Sequence, residues 1–118
     1  MVADGYIPAW SQGPAPEFTS HDAACILNAG PDPADIRLTV FFEDRDPVEY
    51  ALTVPGRRTL HQRLGELSDP EPIPPGVGYA YLVESNVPVV VQHTRLDSRQ
   101  AANALVSTIA YPATEERP

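Results

Sequence analysis

Sulfur is nearly absent from this chain, which has a single cysteine and a single methionine. One thiol cannot close an internal disulfide, so the fold must hold without one, and a reducing, cytoplasmic setting is expected. Cys25 sits among Ala23, Ala24, Ile26 and Leu27, where a thiol serves as a small core filler rather than a reactive group. Positive charge is also scarce: eight Lys and Arg stand against sixteen Asp and Glu, for a net charge of −8. Phosphate backbones attract proteins that neutralise them, so nucleic acid is not expected as a partner. The acidic balance suits a basic partner surface, or simply solubility. There is no run of eighteen apolar residues and no basic-then-apolar leader, so neither a membrane-spanning helix nor an export signal is expected.

Proline is what the chain has in quantity. Fourteen prolines leave little room for long helices, while a hydrophobic content of 42% is enough for a packed core. Short strands joined by stiff loops satisfy both conditions, and 118 residues fit a single domain. Residues 1–18, with Tyr6, Pro8, Trp10, Pro14, Pro16 and Phe18, have neither helical nor strand period and are expected to form an irregular arm packed by its rings. Residues 112–118 are expected to be a loose tail.

Between these ends the period is two. Residues 19–29 place Ala23, Cys25 and Leu27 on one face and Asp22, Ala24, Ile26 and Asn28 on the other. Residues 36–43 alternate strictly, and Tyr50, Leu52 and Val54 return in the same phase, so 36–54 is predicted to be a hairpin. Pro55 and Gly56 take the central positions of a type II turn, which predicts a second hairpin into residues 58–64. Residues 66–78 hold four prolines and can only be a crossover between layers. Residues 79–85, 89–95 and 104–111 are further strands, with a capped helical turn expected over 97–104. About seven or eight strands, no long helix and no repeat indicate an all-β, antiparallel β-sandwich.

The most informative stretch is residues 85–100, SNVPVVVQHTRLDSRQ. It starts as a valine run and becomes a row of hydrogen-bonding side chains. A packed strand that ends in polar groups aims them at one place. Val89 and Val91 lie on one face and Val90 on the other, so cover is wanted on both faces. This makes Val89, Val90, Val91 and Arg99 candidates for an interface in a homo-oligomer. His21, Arg58, His61, His93, Arg95 and Asp97 are candidate lining for a ligand pocket, because guanidinium forks and imidazoles grip carboxylates, phosphates or vicinal hydroxyls. No two histidines have the spacing of paired metal ligands, so no metal site is expected. There is no nucleophile elbow, phosphate loop or two-cysteine metal pattern either, so neither a cofactor nor an enzymatic activity is expected.

Gly5-Tyr6-Ile7-Pro8, Ser20-His21, Cys25-Ile26-Leu27-Asn28-Ala29-Gly30, Leu52-Thr53-Val54-Pro55, Arg57-Arg58-Thr59, and the long segment from Ser85 through Ser107-Thr108-Ile109-Ala110-Tyr111 resemble the sensory rhodopsin transducer family. The resemblance implies a small cytoplasmic sandwich of jelly-roll type. It would form a homotetramer that docks on the cytoplasmic face of a microbial rhodopsin and relays its state. The resemblance also implies an alternative, a carbohydrate or related small-molecule binding sandwich with no rhodopsin partner. Cytoplasmic loops of membrane proteins are rich in Lys and Arg and would steer an acidic partner. In one respect the sequence departs from the family pattern, which has a short apolar strand before Gly5-Tyr6-Ile7-Pro8. Here only Met1-Val2-Ala3-Asp4 precede that motif, so either an edge strand is missing or the start lies too late, and its neighbour would expose ladder hydrogen bonds.

Overall fold

The computed structural model describes residues 1–7, 21–97 and 104–110. Within them run eight strands: β1 (Val2–Tyr6), β2 (His21–Asn28), β3 (Ala34–Phe41), β4 (Val48–Val54), β5 (Arg58–Arg63), β6 (Gly78–Ser85), β7 (Val90–Asp97) and β8 (Ala104–Ile109). They form two four-stranded antiparallel sheets in the orders β1-β6-β3-β4 and β5-β2-β7-β8, the β-sandwich that the alternation predicts.

The faces also follow from the alternation. Ile36, Leu38 and Val40 of β3 and Asp22, Ala24, Ile26 and Asn28 of β2 point inward and are buried. One apolar cluster centres on Leu38, Val40, Leu64, Ile73 and Tyr81. A second gathers Ile26, Ala34, Ile36 and Val54, with Val87, Val89 and Val91 packed against it. The β3–β4 hairpin pairs Ile36 with Leu52 and Leu38 with Tyr50. The proline-rich crossover carries the chain from β5 in one sheet to β6 in the other.

Four expectations need correction. Residues 2–6 of the anticipated arm form an edge strand, β1, pairing with β6 from Val2↔Tyr81 to Tyr6↔Gly78. A strand is therefore present where one was thought missing, although the rest of the expected arm, 8–18, lies outside the described residues. The second hairpin does not form. Strand β5 leaves the sheet of β4 and pairs with β2, from Ala23↔Arg63 to Asn28↔Arg58, so the turn at 55–57 links the layers. The left-handed residue of that turn is Arg57 (φ 58°) rather than Gly56. Gly56 lies against the Pro31 carbonyl, where a Cβ would overlap the backbone, and Arg57 N–H donates to the Gly30 carbonyl at 2.9 Å. A non-glycine residue in this region costs about 1–2 kcal/mol; the close approach reserves the glycine for the preceding position. Finally, the ends of the expected helical turn, Asp97 and Ala104, are paired strand residues. Residues 98–103, including Arg99, lie outside the described residues, as does the tail 112–118.

The valine run is covered on one face only. Val89 and Val91 pack inward, whereas Val90 is 56% exposed and pairs with Leu27, itself 44% exposed, on the outer face.

Candidate functional site

Inside the sandwich, the polar half of β7 meets a carboxylate. Asp22 opens the inward face of β2, and the register sets Asp22 opposite Arg95 and Ala24 opposite His93. Partners across an antiparallel ladder point to the same side, so Asp22, His93 and Arg95 share the space between the sheets. From the other sheet Tyr79 and Tyr81, on the inward face of β6, reach the same place. Gly5 makes room for Tyr79, since a Cβ there would overlap its ring.

Asp22 is fully buried, and three donors point at it. Oδ2 accepts from the Tyr6 N–H and the Tyr79 hydroxyl, both at 2.7 Å, and Oδ1 accepts from Arg95 Nε at 2.9 Å. His93 Nε2 lies 3.5 Å from Oδ2, an electrostatic contact rather than a hydrogen bond, and this nitrogen is buried with no hydrogen-bond partner. The other ring nitrogen, Nδ1, is 2.8 Å from the Tyr81 hydroxyl. If that hydroxyl donates to Nδ1, the proton rests on Nε2, facing the carboxylate; the opposite tautomer would set a lone pair against a negative charge. Arg95 also donates to the Asp4 carbonyl at 3.1 Å and stacks its guanidinium 5.8 Å from the centre of the Tyr6 ring.

Electrostatics follow from this geometry. Burial works to raise the Asp22 pKa, but the close approach of His93 and the hydrogen bonds from Arg95, Tyr6 and Tyr79 outweigh it and hold the group below the usual carboxylate range. Burial and then the Asp22 charge push the Tyr79 hydroxyl far above the ordinary tyrosine range, and the same two causes act on Tyr81. The result is an ionised carboxylate balanced by one guanidinium and held by groups from β1, β6 and β7. The network ties the two sheets together. It offers no activated nucleophile and no pair of free carboxylates.

Beside it, where β1 and β8 flank the open side of the sandwich, lies a cleft of about 570 Å³. Its lining is mostly apolar, including Val2, Phe41, Leu82 and Ile109, with His93, Arg95, Asp4 and Thr108 as polar members.

Of the six anticipated pocket residues, His93 and Arg95 meet in this way. Asp97, on the same strand as these two, pairs with Ala104 of β8; its side chain is outside the description. His21 alternates to the opposite face of β2. Arg58 and His61 lie on β5, at the far side of β2 from β7. Arg58 caps its neighbour's carbonyl at 3.0 Å, and His61 Nδ1 contacts Cys25 Sγ at 3.2 Å on the outer face. Among the described residues no three His, Cys, Asp or Glu gather as a metal site would require. Sequence reasoning missed Asp22, Tyr79 and Tyr81 as site members. A signal was present, because an aspartate on the inward face of an apolar strand has to find donors.

The fold has counterparts among known proteins. The family model described as Anabaena sensory rhodopsin transducer matches residues 1–112. The chain is similar to the solved structure of the Anabaena sensory rhodopsin transducer at 54% identity and a TM-score of 0.73, over 85% of this chain and 88% of that one. It is also similar to the crystal structure of Thermotoga maritima 1070, at 40% identity and a TM-score of 0.84, over 93% of this chain and 89% of that one. No curated protein matches it.

Proposed function

Because the chain belongs to the Anabaena sensory rhodopsin transducer family, we propose that it is a non-enzymatic signalling adaptor of the cytoplasm. In this reading it works as a homotetramer, docks on the cytoplasmic face of a microbial rhodopsin and relays the receptor's state. The observation that carries the reading is the 54% identity to the Anabaena sensory rhodopsin transducer over most of both chains. Three features support it. The net charge of −8 complements the basic cytoplasmic loops of membrane proteins. The outer face of the β5-β2-β7-β8 sheet presents the exposed pair Leu27 and Val90, with Ile109 70% exposed nearby on β8, an apolar surface suited to self-association. The interior network is built for rigidity rather than turnover.

The alternative, a binding module for a carbohydrate or related small molecule, has the open cleft in its favour. Three of its six expected lining residues, His21, Arg58 and His61, do not line that cleft, and a mostly apolar wall suits a sugar poorly, so the adaptor reading is preferred.

Two measurements test it. Light scattering should give a particle near four times the 12.8 kDa chain mass. Titration onto a sensory rhodopsin in nanodiscs should give binding that weakens with salt and changes on illumination. A monomer with no salt-sensitive binding in either light state would overturn the proposal.

A further inference from the structure

Acids outnumber bases sixteen to eight in this chain, yet residues 50–65 contain no Asp or Glu and hold three of the eight bases, Arg57, Arg58 and Arg63. The fold turns that stretch into a margin. Strand β5 is outermost in its sheet and pairs with β2 along its whole length. The Thr59 hydroxyl donates to the Ile26 carbonyl at 3.2 Å, which places the main-chain groups of Ile26 on the β5 side of β2. In an antiparallel ladder the N–H and C=O of one residue share a side, and the side alternates along the strand. Arg58, Leu60 and Gln62 therefore pair with β2, while Thr59, His61 and Arg63 turn their main-chain groups to the free edge. The Gln62 side chain takes the Arg63 carbonyl at 3.0 Å. Thr59 and His61 are exposed.

The cations at this edge lack carboxylates. Arg37, Arg45 and Arg95 each hold one, at 3.0, 3.1 and 2.9 Å. Arg57 and Arg58, both exposed, hold none among the described residues. Arg58 donates to the Arg57 carbonyl, and Asp32, on the turn packed against Gly56, forms no ion pair with either. Two adjacent guanidinium groups left without an acid, in a chain with acids in excess, are available to carboxylates from outside.

We propose that β5 is a strand-addition site for an acidic extended segment of a partner protein, laid antiparallel to it, with main-chain bonds at Thr59 and His61 and carboxylates at Arg57 and Arg58. The ladder supplies affinity and alternate side chains the specificity. The residue opposite Leu60, which packs on the second core cluster, is apolar. The residue opposite Arg58 and the one beyond it are acidic. Pairing β5 with β5 of a second copy would crowd arginines together, and cations on an edge oppose that. A nucleic acid would bring a long run of phosphates to a chain of net charge −8. A short segment brings two carboxylates to a place where cations are in excess, and salt screens the remaining acids beyond about 8–10 Å. This goes beyond the rhodopsin reading and does not depend on it.

The probe is the peptide acetyl-Thr-Val-Thr-Glu-Glu-amide, titrated into the full chain and followed by backbone amide NMR. Slower exchange is expected at the Thr59 and His61 amides, while Leu60, already paired with β2, keeps its rate. Glutamine in place of both glutamates should weaken binding about three- to tenfold, as should Arg57→Gln combined with Arg58→Gln. N-methylation of the peptide bonds that face β5 should weaken it at least about fivefold. Four results would overturn the proposal: no change at the two edge amides, equal binding of the glutamine peptide, tighter binding of a single-stranded oligonucleotide at that edge, or self-association that already protects those amides without peptide.

Discussion

Asp22→Asn isolates what the buried charge contributes, because it alters one atom and keeps the shape. The wild-type oxygens accept from opposite sides, Oδ2 from Tyr6 N–H and Tyr79 O–H and Oδ1 from Arg95. The amide retains only one oxygen. The fixed Tyr6 N–H claims it, and the NH₂ then faces the Arg95 donor. The variant loses a charge-assisted bond, worth about 1.5–3 kcal/mol, and leaves a guanidinium without its counter-charge. Breaking a buried pair from one side costs about 3–5 kcal/mol. The Arg95 side chain is 22% exposed and can turn to water, which places the loss near the lower end, about 3 kcal/mol. Urea unfolding at pH 7 is the assay. With a slope of about 1–3 kcal/mol per molar, the midpoint should fall by about 1–3 M with the slope unchanged. A cycle with Arg95→Met should give a coupling of about 1–3 kcal/mol. The pH dependence adds a second check. A carboxylate whose folded pKa is depressed stabilises the protein above its unfolded pKa, near 3.9, and loses that effect as pH falls through the folded value. The gap between wild type and Asp22→Asn should therefore be constant at neutral pH and close below about pH 4. A loss under about 1 kcal/mol together with zero coupling would refute the account of this network.

At the alkaline end the sign reverses. The raised Tyr79 and Tyr81 hydroxyls stabilise the protein fully below their unfolded pKa near 10, and the contribution is lost as pH climbs above it. Thermal melts should thus drop steeply above about pH 10, and Tyr79→Phe should flatten that drop while lowering neutral-pH stability by about 1–2 kcal/mol. Gly5→Ala puts a methyl group into the Tyr79 ring and should destabilise by about 1–3 kcal/mol in chemical denaturation; a neutral result would show that the ring can move aside. Val90→Glu changes a side chain that is 56% exposed, so the melting point should stay within the effect of about 0.5 kcal/mol while the assembly mass falls. An unchanged mass would remove Val90 from the interface.

Local alternation was enough to define most strands, and it sorted their faces: Asp22, Ala24, Ile26 and Asn28 were legible as one side of β2, and Ile36, Leu38 and Val40 as one side of β3. The hairpin over 36–54, the proline-rich crossover and the family were equally open to reading, since period, turn chemistry and motif belong to neighbouring residues. Partners were not. Pro55-Gly56 signals a turn equally well whether the next strand folds back beside β4 or crosses to the other sheet, and a close approach of Gly56 to the Pro31 carbonyl, distant in sequence, is part of the turn that carries it across. In the same way, nothing adjacent to Asp22 says that its donors come from Tyr6, Tyr79 and Arg95, positions up to 73 residues away. A two-residue period is written along the chain. The register between strands and the layer each one joins are settled only when distant segments compete to pack.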